Sequence, residues 1–389
     1  MRATRRVPIV LAAVVAAVWA GLSGCGMLSS SPAPELAAPV AVELPELQGI
    51  GLRQVWQRQV RLEPGERIKK TWRVGASLYV ATTDTRFMRI EAKNGVLMWS
   101  NVLGRENFDI YQPIELNGPE GKPNGEVLVV TRGTAFAFNM DTGDQLRTAR
   151  LGLSVAADPV VIGNTLCVGS ADTFYGLYLD RMGTKHWRVP VPGDLFVTAP
   201  LAQDQNVFVG SRNGLLWRIS ADTGNWEWKD RKTNGLILGG MGADYSAVYV
   251  PCDDQRVYAF HTDTGGELWE RQLDGRLEEA PVLGGPVVMV TSVNRRMSAL
   301  LRLTGEVKWA KEGVAQVATI GDETVWIGDT SGQLRQVALE TGDERATVQT
   351  TGIQFFVRNT TDKNVILVTH AGLVGMYAPT SAAAPAGGN

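Results

Sequence analysis

The chain has 389 residues, of which 44% are hydrophobic and 20% are charged, with 43 glycines and a formal net charge of −2. This apolar fraction is enough for a large folded core and excludes an intrinsically disordered chain. A mildly acidic protein lacks the basic stripe that nonspecific nucleic-acid binding requires, so we expect no nucleic-acid partner. With only three cysteines, the chain also has no disulfide framework.

The N-terminal segment has the features of a secretory signal. Arg2, Arg5 and Arg6 precede an apolar stretch over residues 7–20, which is too short to span a membrane. Residues 22–25 then read Leu-Ser-Gly-Cys, which resembles the lipobox of bacterial lipoproteins.

This resemblance implies that residues 1–24 are removed as a lipoprotein signal peptide and that Cys25 carries fatty acids such as palmitate. Gly26 follows the cysteine in place of Asp, which under the enterobacterial sorting rule implies delivery to the outer membrane. We therefore expect a protein of the cell envelope, held by its lipid and facing the periplasm. Residues 25–49, rich in Ser, Pro and Ala, are predicted to form an extended tether, and residues 379–389 a disordered tail.

Between these ends, a short apolar strand runs into a turn eight times, at intervals of about 40 residues. The strands are marked by the β-branched residues Val80, Val130, Val168, Val209, Val250, Val290, Ile327 and Val368. A fixed period of this size with strand-turn-strand content is typical of a β-propeller with one repeat per four-stranded blade.

A glycine turn follows seven of these strands, and it predicts the end of the third strand of each blade. The glycines are preceded by Asn, Thr or Met and are Gly95, Gly143, Gly183, Gly224, Gly265, Gly305 and Gly342. Four residues after the glycine, five copies carry a tryptophan, namely Trp99, Trp187, Trp228, Trp269 and Trp309, whereas Arg147 and Ala346 occupy this position in the other two. Because a single blade cannot bury its own faces, we expect these tryptophans to pack between neighbouring blades.

The strand count predicts how the ring closes. Seven glycine turns indicate seven complete blades, and residues 353–377 supply only three further strands. The segment 52–60, centred on Trp56, resembles the other outer strands and can supply the missing one. Residues 50–378 are therefore predicted to form an all-β, eight-bladed β-propeller of four-stranded blades, in which an N-terminal strand joins the C-terminal blade and removes the open edge.

The chemistry-bearing residues do not predict a catalytic, cofactor or metal site. The three histidines fall in different blades at different repeat positions, and Cys167 and Cys252 lie two blades apart. Asp253-Asp254 is the only acidic pair on a blade turn, where Asp is favoured for local hydrogen bonding.

One insertion breaks the period, in the hairpin around residues 115–125. Its polar residues Asn117, Glu120, Lys122 and Asn124 are the candidates for partner binding, because insertions on one rim of a repeat protein often mark a binding face. The alternative is a tolerated Gly/Pro-rich surface loop.

The segments Ala259–Trp269 and Ala299–Trp309 resemble the repeat of the pyrroloquinoline-quinone (PQQ) type propellers. Together with the lipobox and tether, the chain resembles the lipoprotein subunit of the outer-membrane β-barrel assembly machinery, the BamB type. This resemblance implies a noncatalytic protein-binding scaffold with the barrel-assembly machinery as partner.

Two alternatives remain open: an envelope scaffold with another partner, and a quinone-dependent dehydrogenase with a quinone and Ca²⁺ in the central channel. Such enzymes commonly carry a vicinal Cys pair, which this sequence lacks.

Replacing the lipobox cysteine tests the predicted anchor. We expect Cys25→Ser to give a soluble or unprocessed protein, because the thiol that accepts the lipid is gone. Metabolic labelling with a radioactive fatty acid measures this directly. Incorporation of label into the variant at the wild-type level would exclude Cys25 as the lipidated residue.

Overall fold

The computed structural model describes residues 44–104, 109–117 and 123–380. In this part of the chain, the regular structure is a short helix, α1 (Pro45–Gln48), and 32 strands in eight antiparallel sheets of four. The first strand, β1 (Leu52–Gln59), belongs to the last sheet.

Seven sheets, which form blades 1 to 7, each contain four consecutive strands. Those of blades 1 to 4 are β2 (Ile68–Val74), β3 (Ser77–Thr82), β4 (Arg86–Glu91) and β5 (Leu97–Val102); β6 (Ile114–Asn117), β7 (Pro123–Val130), β8 (Thr134–Asn139) and β9 (Gln145–Arg150); β10 (Val160–Ile162), β11 (Thr165–Ser170), β12 (Thr173–Tyr178) and β13 (Lys185–Pro190); and β14 (Leu201–Gln203), β15 (Asn206–Gly210), β16 (Leu215–Ser220) and β17 (Trp226–Lys232).

Blades 5 to 7 follow the same order, and blade 8 combines both ends of the described chain. Their strands are β18 (Gly242–Ala243), β19 (Ala247–Pro251), β20 (Arg256–His261) and β21 (Glu267–Gln272); β22 (Val282–Gly284), β23 (Val287–Thr291), β24 (Met297–Leu301) and β25 (Val307–Lys311); β26 (Gln316–Ile320), β27 (Thr324–Gly328), β28 (Gln333–Ala338) and β29 (Glu344–Gln349); and β30 (Ile353–Val357), β31 (Val365–Thr369) and β32 (Leu373–Pro379), to which β1 adds.

The sheets surround a common axis, so the predicted eight-bladed β-propeller is confirmed. The first strands of neighbouring blades contact one another, as in the pairs β6 with β10, β14 with β18 and β30 with β2. Because the strands of a blade alternate in direction, the turns fall on two faces. We call the bottom face the one that carries the turns between first and second and between third and fourth strands. The top face carries the remaining turns and the linkers between blades.

The second strand of each blade is the most deeply buried. All residues of β3, β11, β19 and β23 are buried, and each of the eight β-branched residues that mark the repeat lies in a second strand. A strand covered on both faces by neighbouring blades needs no polar side, which explains why these segments are continuously apolar. The core accordingly consists of eight clusters of buried side chains, each shared by two adjacent blades.

The repeated tryptophans pack against the glycine turn of the next blade, as predicted. The indole Nε1–H of Trp269 donates to the carbonyl oxygen of Arg302 (2.9 Å), and a Cβ atom on Gly305 would lie 2.5 Å from Cε3 of that indole. Gly305 has φ +68°, so glycine is required here both by backbone conformation and by the approach of the ring. The same contact joins Trp56 to Gly95, Trp99 to Gly143, Trp187 to Gly224, Trp228 to Gly265 and Trp309 to Gly342.

The two exceptions to the tryptophan pattern have separate structural solutions. Between blades 2 and 3, Arg147 donates from Nη1 to the carbonyl oxygen of Leu179 (3.2 Å) and forms an ion pair with Glu126. Between blades 7 and 8, Ala346 packs in a cluster that contains Leu44 and Leu47 from the segment around α1. Apolar residues ahead of β1 thus cover the interface that lacks the repeated tryptophan.

The N-terminal strand closes the ring as expected. β1 pairs antiparallel with β32 from Leu52 opposite Pro379 to Gln59 opposite Leu373. The side-chain amide of Gln57 donates to the hydroxyl of Tyr377 (2.6 Å), and the backbone N–H of Thr380 donates to the carbonyl oxygen of Gly51 (2.8 Å). Leu44 and Leu47, within the segment predicted as tether, are therefore packed against the propeller.

The glycine turns provide a test of the inter-blade contact. Gly305→Ala adds a Cβ atom inside the ring of Trp269, whereas Gly152, with φ +64°, has no atom within 4 Å of such a Cβ. We expect the free energy of unfolding of both variants to fall by about 1–2 kcal/mol, because alanine is strained in the left-handed backbone conformation. For Gly305→Ala it should fall by about 1–3 kcal/mol more, because the added Cβ atom overpacks the interface. Urea unfolding of the two variants measures the difference. Equal stabilities would mean that the indole contact does not constrain this turn.

Candidate binding site and the central channel

The insertion forms the bottom hairpin of blade 2. β6 and β7 pair from Ile114 opposite Leu128 to Asn117 opposite Pro123, and a register shift occurs before the last pair. At the base, the hydroxyl of Tyr79 donates to Oε1 of Glu115 (3.1 Å). Burial, reinforced by the charge of Glu115, raises the pKa of Tyr79, so this hydroxyl stays protonated at neutral pH.

The residues predicted for partner binding are only partly described. Asn117 belongs to β6 and Asn124 to β7. Their backbones are described, but their side chains lie outside the described part of the structure. Glu120 and Lys122 fall in the segment between the two strands, and Cys25 precedes residue 44, so these three also lie outside it. Their roles in partner binding and lipidation stay predictions.

Both members of the acidic pair on the turn of blade 5 accept hydrogen bonds from other residues of the chain. Oδ1 of Asp253 accepts from the backbone N–H of Leu236 (2.5 Å), and Oδ2 of Asp254 accepts from the hydroxyl of Tyr258 (2.6 Å). Asp254 also lies 3.6 Å from Nη1 of Arg256. Burial, with the bond to Asp254, raises the pKa of Tyr258 to about 12. Asp254 thus stabilises its own turn, as the sequence predicts, whereas Asp253 joins the turn to the linker that precedes blade 5.

Neither of the two thiols in the described part of the chain is a reactive group. Cys167 and Cys252 are free and buried, and burial raises the pKa of each thiol to about 12, which leaves both protonated at neutral pH. His186 stacks on Tyr178, with ring centroids 4.2 Å apart. Among the described residues, no three His, Cys, Asp or Glu side chains are grouped so as to hold a metal ion.

A cavity of about 490 Å³ lies in the central channel beside the first strands of blades 7 and 8. Its lining includes Glu279, Arg295, Asp329, Phe355 and Arg358. Arg358 follows β30 and is exposed to the water of the channel, although the channel walls surround it. Desolvation by these walls lowers the pKa of Arg358, and the charge of Glu279 opposes the shift. The sequence alone did not identify Arg358, because the ring decides which side chains enter the channel.

This lining does not fit a quinone with its calcium ion. Ca²⁺ takes about six to eight oxygen ligands. The carboxylate of Asp329 already accepts from the backbone N–H groups of Ser331 (2.8 Å) and Gln333 (2.7 Å), which leaves Glu279 as the remaining carboxylate of the cavity. Arg295 and Arg358 would repel a divalent cation at the same place.

The described residues contain no helix that is long and apolar enough to cross a lipid bilayer.

The family model and the relatives that match this chain all carry the same protein description. A family model described as outer membrane protein assembly factor BamB matches residues 131–237 and 231–367. The protein of that name from Bordetella pertussis is 25% identical over 348 residues, which cover 75% of this chain and 86% of the relative. The one from Yersinia pestis is 31% identical over 140 residues, or 32% of this chain and 36% of the relative. For the one from Burkholderia pseudomallei, 27% identity extends over 160 residues, so the chain spans 42% of that relative's length.

Solved structures share the architecture at low sequence identity. BamB from Moraxella catarrhalis superposes with a TM-score of 0.66 at 17% identity, covering 84% of this chain and 97% of that one. Quinohemoprotein alcohol dehydrogenase from Comamonas testosteroni superposes with a TM-score of 0.62 at 10% identity, covering 88% and 79%. At these identities the superpositions show the fold alone. The family model, in contrast, matches more than half of the sequence, and the chain belongs to the PQQ-repeat propeller family described as outer membrane protein assembly factor BamB.

Proposed function

We propose that this protein is a noncatalytic, lipid-anchored scaffold that binds protein partners during outer-membrane protein assembly. The observation that carries the proposal is the family match over residues 131–367, supported by the long alignment with the Bordetella relative. The proposed partner is the outer-membrane barrel-assembly machinery, and the proposed location is the outer membrane on its periplasmic side.

The chemistry of the described residues supports a binding rather than a catalytic role. The two buried thiols are protonated, and both carboxylates of the pair Asp253-Asp254 already accept hydrogen bonds from the protein. A rigid ring with a small mixed-charge channel instead offers two broad faces of turns. Such faces suit protein partners, because specific protein interfaces need about 800 Å² from each side.

The position of the packed N-terminus supports attachment through a tether. β1 is the fourth strand of blade 8, so its first residue, Leu52, lies at the bottom face beside Pro379. We therefore expect a tether ahead of Leu44 to reach the propeller through residues 44–51, next to the start of β1. An extended chain from Cys25 to residue 43 spans up to about 60 Å, which leaves the propeller free to reach partners at some distance from the membrane.

Affinity purification of the tagged lipoprotein from detergent-solubilised envelopes tests the partner. We expect subunits of the barrel-assembly machinery to co-purify, as identified by mass spectrometry. A tagged chain reduced to residues 1–49 is the matched control, because it keeps the lipid signal and tether but lacks the propeller. A complex without these subunits would contradict the proposal and favour an envelope scaffold with another partner.

A titration with pyrroloquinoline quinone and Ca²⁺ tests the alternative of a quinone-dependent dehydrogenase, an enzyme class that shares this fold. We expect no stoichiometric absorbance change and no dye-linked oxidation of alcohols or aldoses, because the described channel lining lacks convergent oxygen ligands. One tightly bound quinone per chain with turnover would refute the noncatalytic role.

A further inference from the structure

Two apolar side chains on the bottom face are far more exposed than any other large hydrophobic side chain of the described residues. Tyr245 is 94% exposed and Leu303 is 87% exposed, whereas the other exposed members of this class range from 38% to 49%. Tyr245 lies in the turn between β18 and β19 of blade 5, and Leu303 in the turn between β24 and β25 of blade 6. Single exposed apolar residues are common on protein surfaces, but these two occupy adjacent blades.

An ion pair joins the two turns. Oδ2 of Asp244 is 3.3 Å from Nη1 of Arg302. The same oxygen accepts from the hydroxyl of Tyr249 (2.9 Å). Asp244 directly precedes Tyr245 in the chain, and Arg302 directly precedes Leu303. Because each partner of the ion pair is the chain neighbour of one exposed side chain, Tyr245 and Leu303 protrude from two turns that contact each other at the junction of blades 5 and 6.

Both turns are also held rigidly. Oδ1 of Asp244 accepts from the backbone N–H groups of Ser246 (2.9 Å) and Ala247 (3.0 Å). These hydrogen bonds outweigh the effect of burial and lower the pKa of Asp244. On the other turn, the carbonyl oxygen of Arg302 accepts from the indole of Trp269. A preorganised pair of apolar tips loses little conformational entropy when it is covered, which is a property of anchor residues in interfaces.

The surroundings of the pair are acidic. The bottom turns of blades 4 to 6 carry five acids, of which Asp244 is paired with Arg302 and Asp263 with Arg218, and Arg271 donates to the carbonyl oxygen of Gly305; the acids without such an ion pair are Asp204, Asp222 and Glu306. Asp204, Asp222 and Glu306 are exposed at the ends of hairpins. This charge attracts a basic partner surface and repels a bilayer with anionic headgroups.

We propose that Tyr245 and Leu303 are the anchor of a protein-docking surface on the bottom face, which fits a partner protein that presents an apolar pocket bordered by Lys and Arg. The proposal deepens the scaffold function by naming a surface and the chemistry of its partner, and in that respect it rests on the proposed function. The surface is separate from both the channel and the predicted loop of blade 2.

Site-specific photo-crosslinking in intact cells tests the surface. The full-length lipoprotein is produced with p-benzoylphenylalanine in place of Tyr245, Leu303 or Val293 in turn. Val293 is the matched control, because it is an exposed apolar residue of the same blade 6 but lies in a top-face turn. We expect protein adducts from positions 245 and 303, with Lys or Arg in the crosslinked partner peptide, and a much lower yield from position 293. Adducts with phospholipid alone, no adducts, or a partner peptide without basic residues would overturn the proposal.

Two double variants, tested in the affinity purification, distinguish the contribution of the two apolar side chains to partner binding from that of the acidic charges. Tyr245→Ser with Leu303→Ser should weaken partner binding roughly thirtyfold, as expected for the loss of an interface hot spot. Asp204→Lys with Glu306→Lys should lower the recovered partner and make the remainder less sensitive to salt. Unchanged melting temperatures establish that both variants fold.

The outcomes distinguish this inference from the proposed function. If the barrel-assembly subunits co-purify equally with wild type and with both variants, the docking surface is wrong and the function stands. If the adducts from positions 245 and 303 map to a basic segment of some other envelope protein, the surface stands and the proposed function is wrong.

Discussion

The contact between an indole and the glycine turn of the next blade is the interaction on which this ring depends. Each buried tryptophan removes a large apolar area from water and leaves one polar group, the indole N–H, that must be satisfied. The turn provides both requirements at once, since its glycine leaves room for the ring and the carbonyl oxygen three residues earlier accepts the N–H. Repetition of the contact at six of the eight interfaces sets the position of each blade edge against the next.

The two interfaces without tryptophan show how the ring tolerates variation. Arg147 replaces the indole by a guanidinium that also reaches a backbone carbonyl, and its charge is balanced by Glu126. Blade 8 has no turn between its third and fourth strands, because β32 and β1 come from opposite ends of the chain. A tryptophan at Ala346 would have no glycine turn to cover, and Leu44 and Leu47 fill the space instead.

The architecture could be predicted from sequence because its determinants are local and repeated. The period, the glycine turns and the tryptophans each occur several times, so single exceptions did not obscure the pattern. Trp56 even identified the strand that completes blade 8. The segment around α1 was assigned to the tether, because one turn of helix has no detectable periodicity. Arg358 and the pair of Tyr245 and Leu303 were missed for another reason. Which side chains enter the channel or protrude from a face depends on the register of hairpins from different blades, and no local pattern encodes that.

The closure of blade 8 by both chain ends has a consequence for the order of synthesis. Gln57 and Tyr377, whose side chains are hydrogen bonded, are separated by 320 residues, so β1 is among the first strands made and its partner is the last. Until β32 is available to pair with β1, the folding chain presents two unpaired sheet edges and the uncovered face of Trp56. Contacts so distant in sequence form slowly, and open edges associate readily with other chains. The time between the first and the last strand is therefore the interval in which this protein is most exposed to aggregation and most dependent on factors that hold unfolded chains.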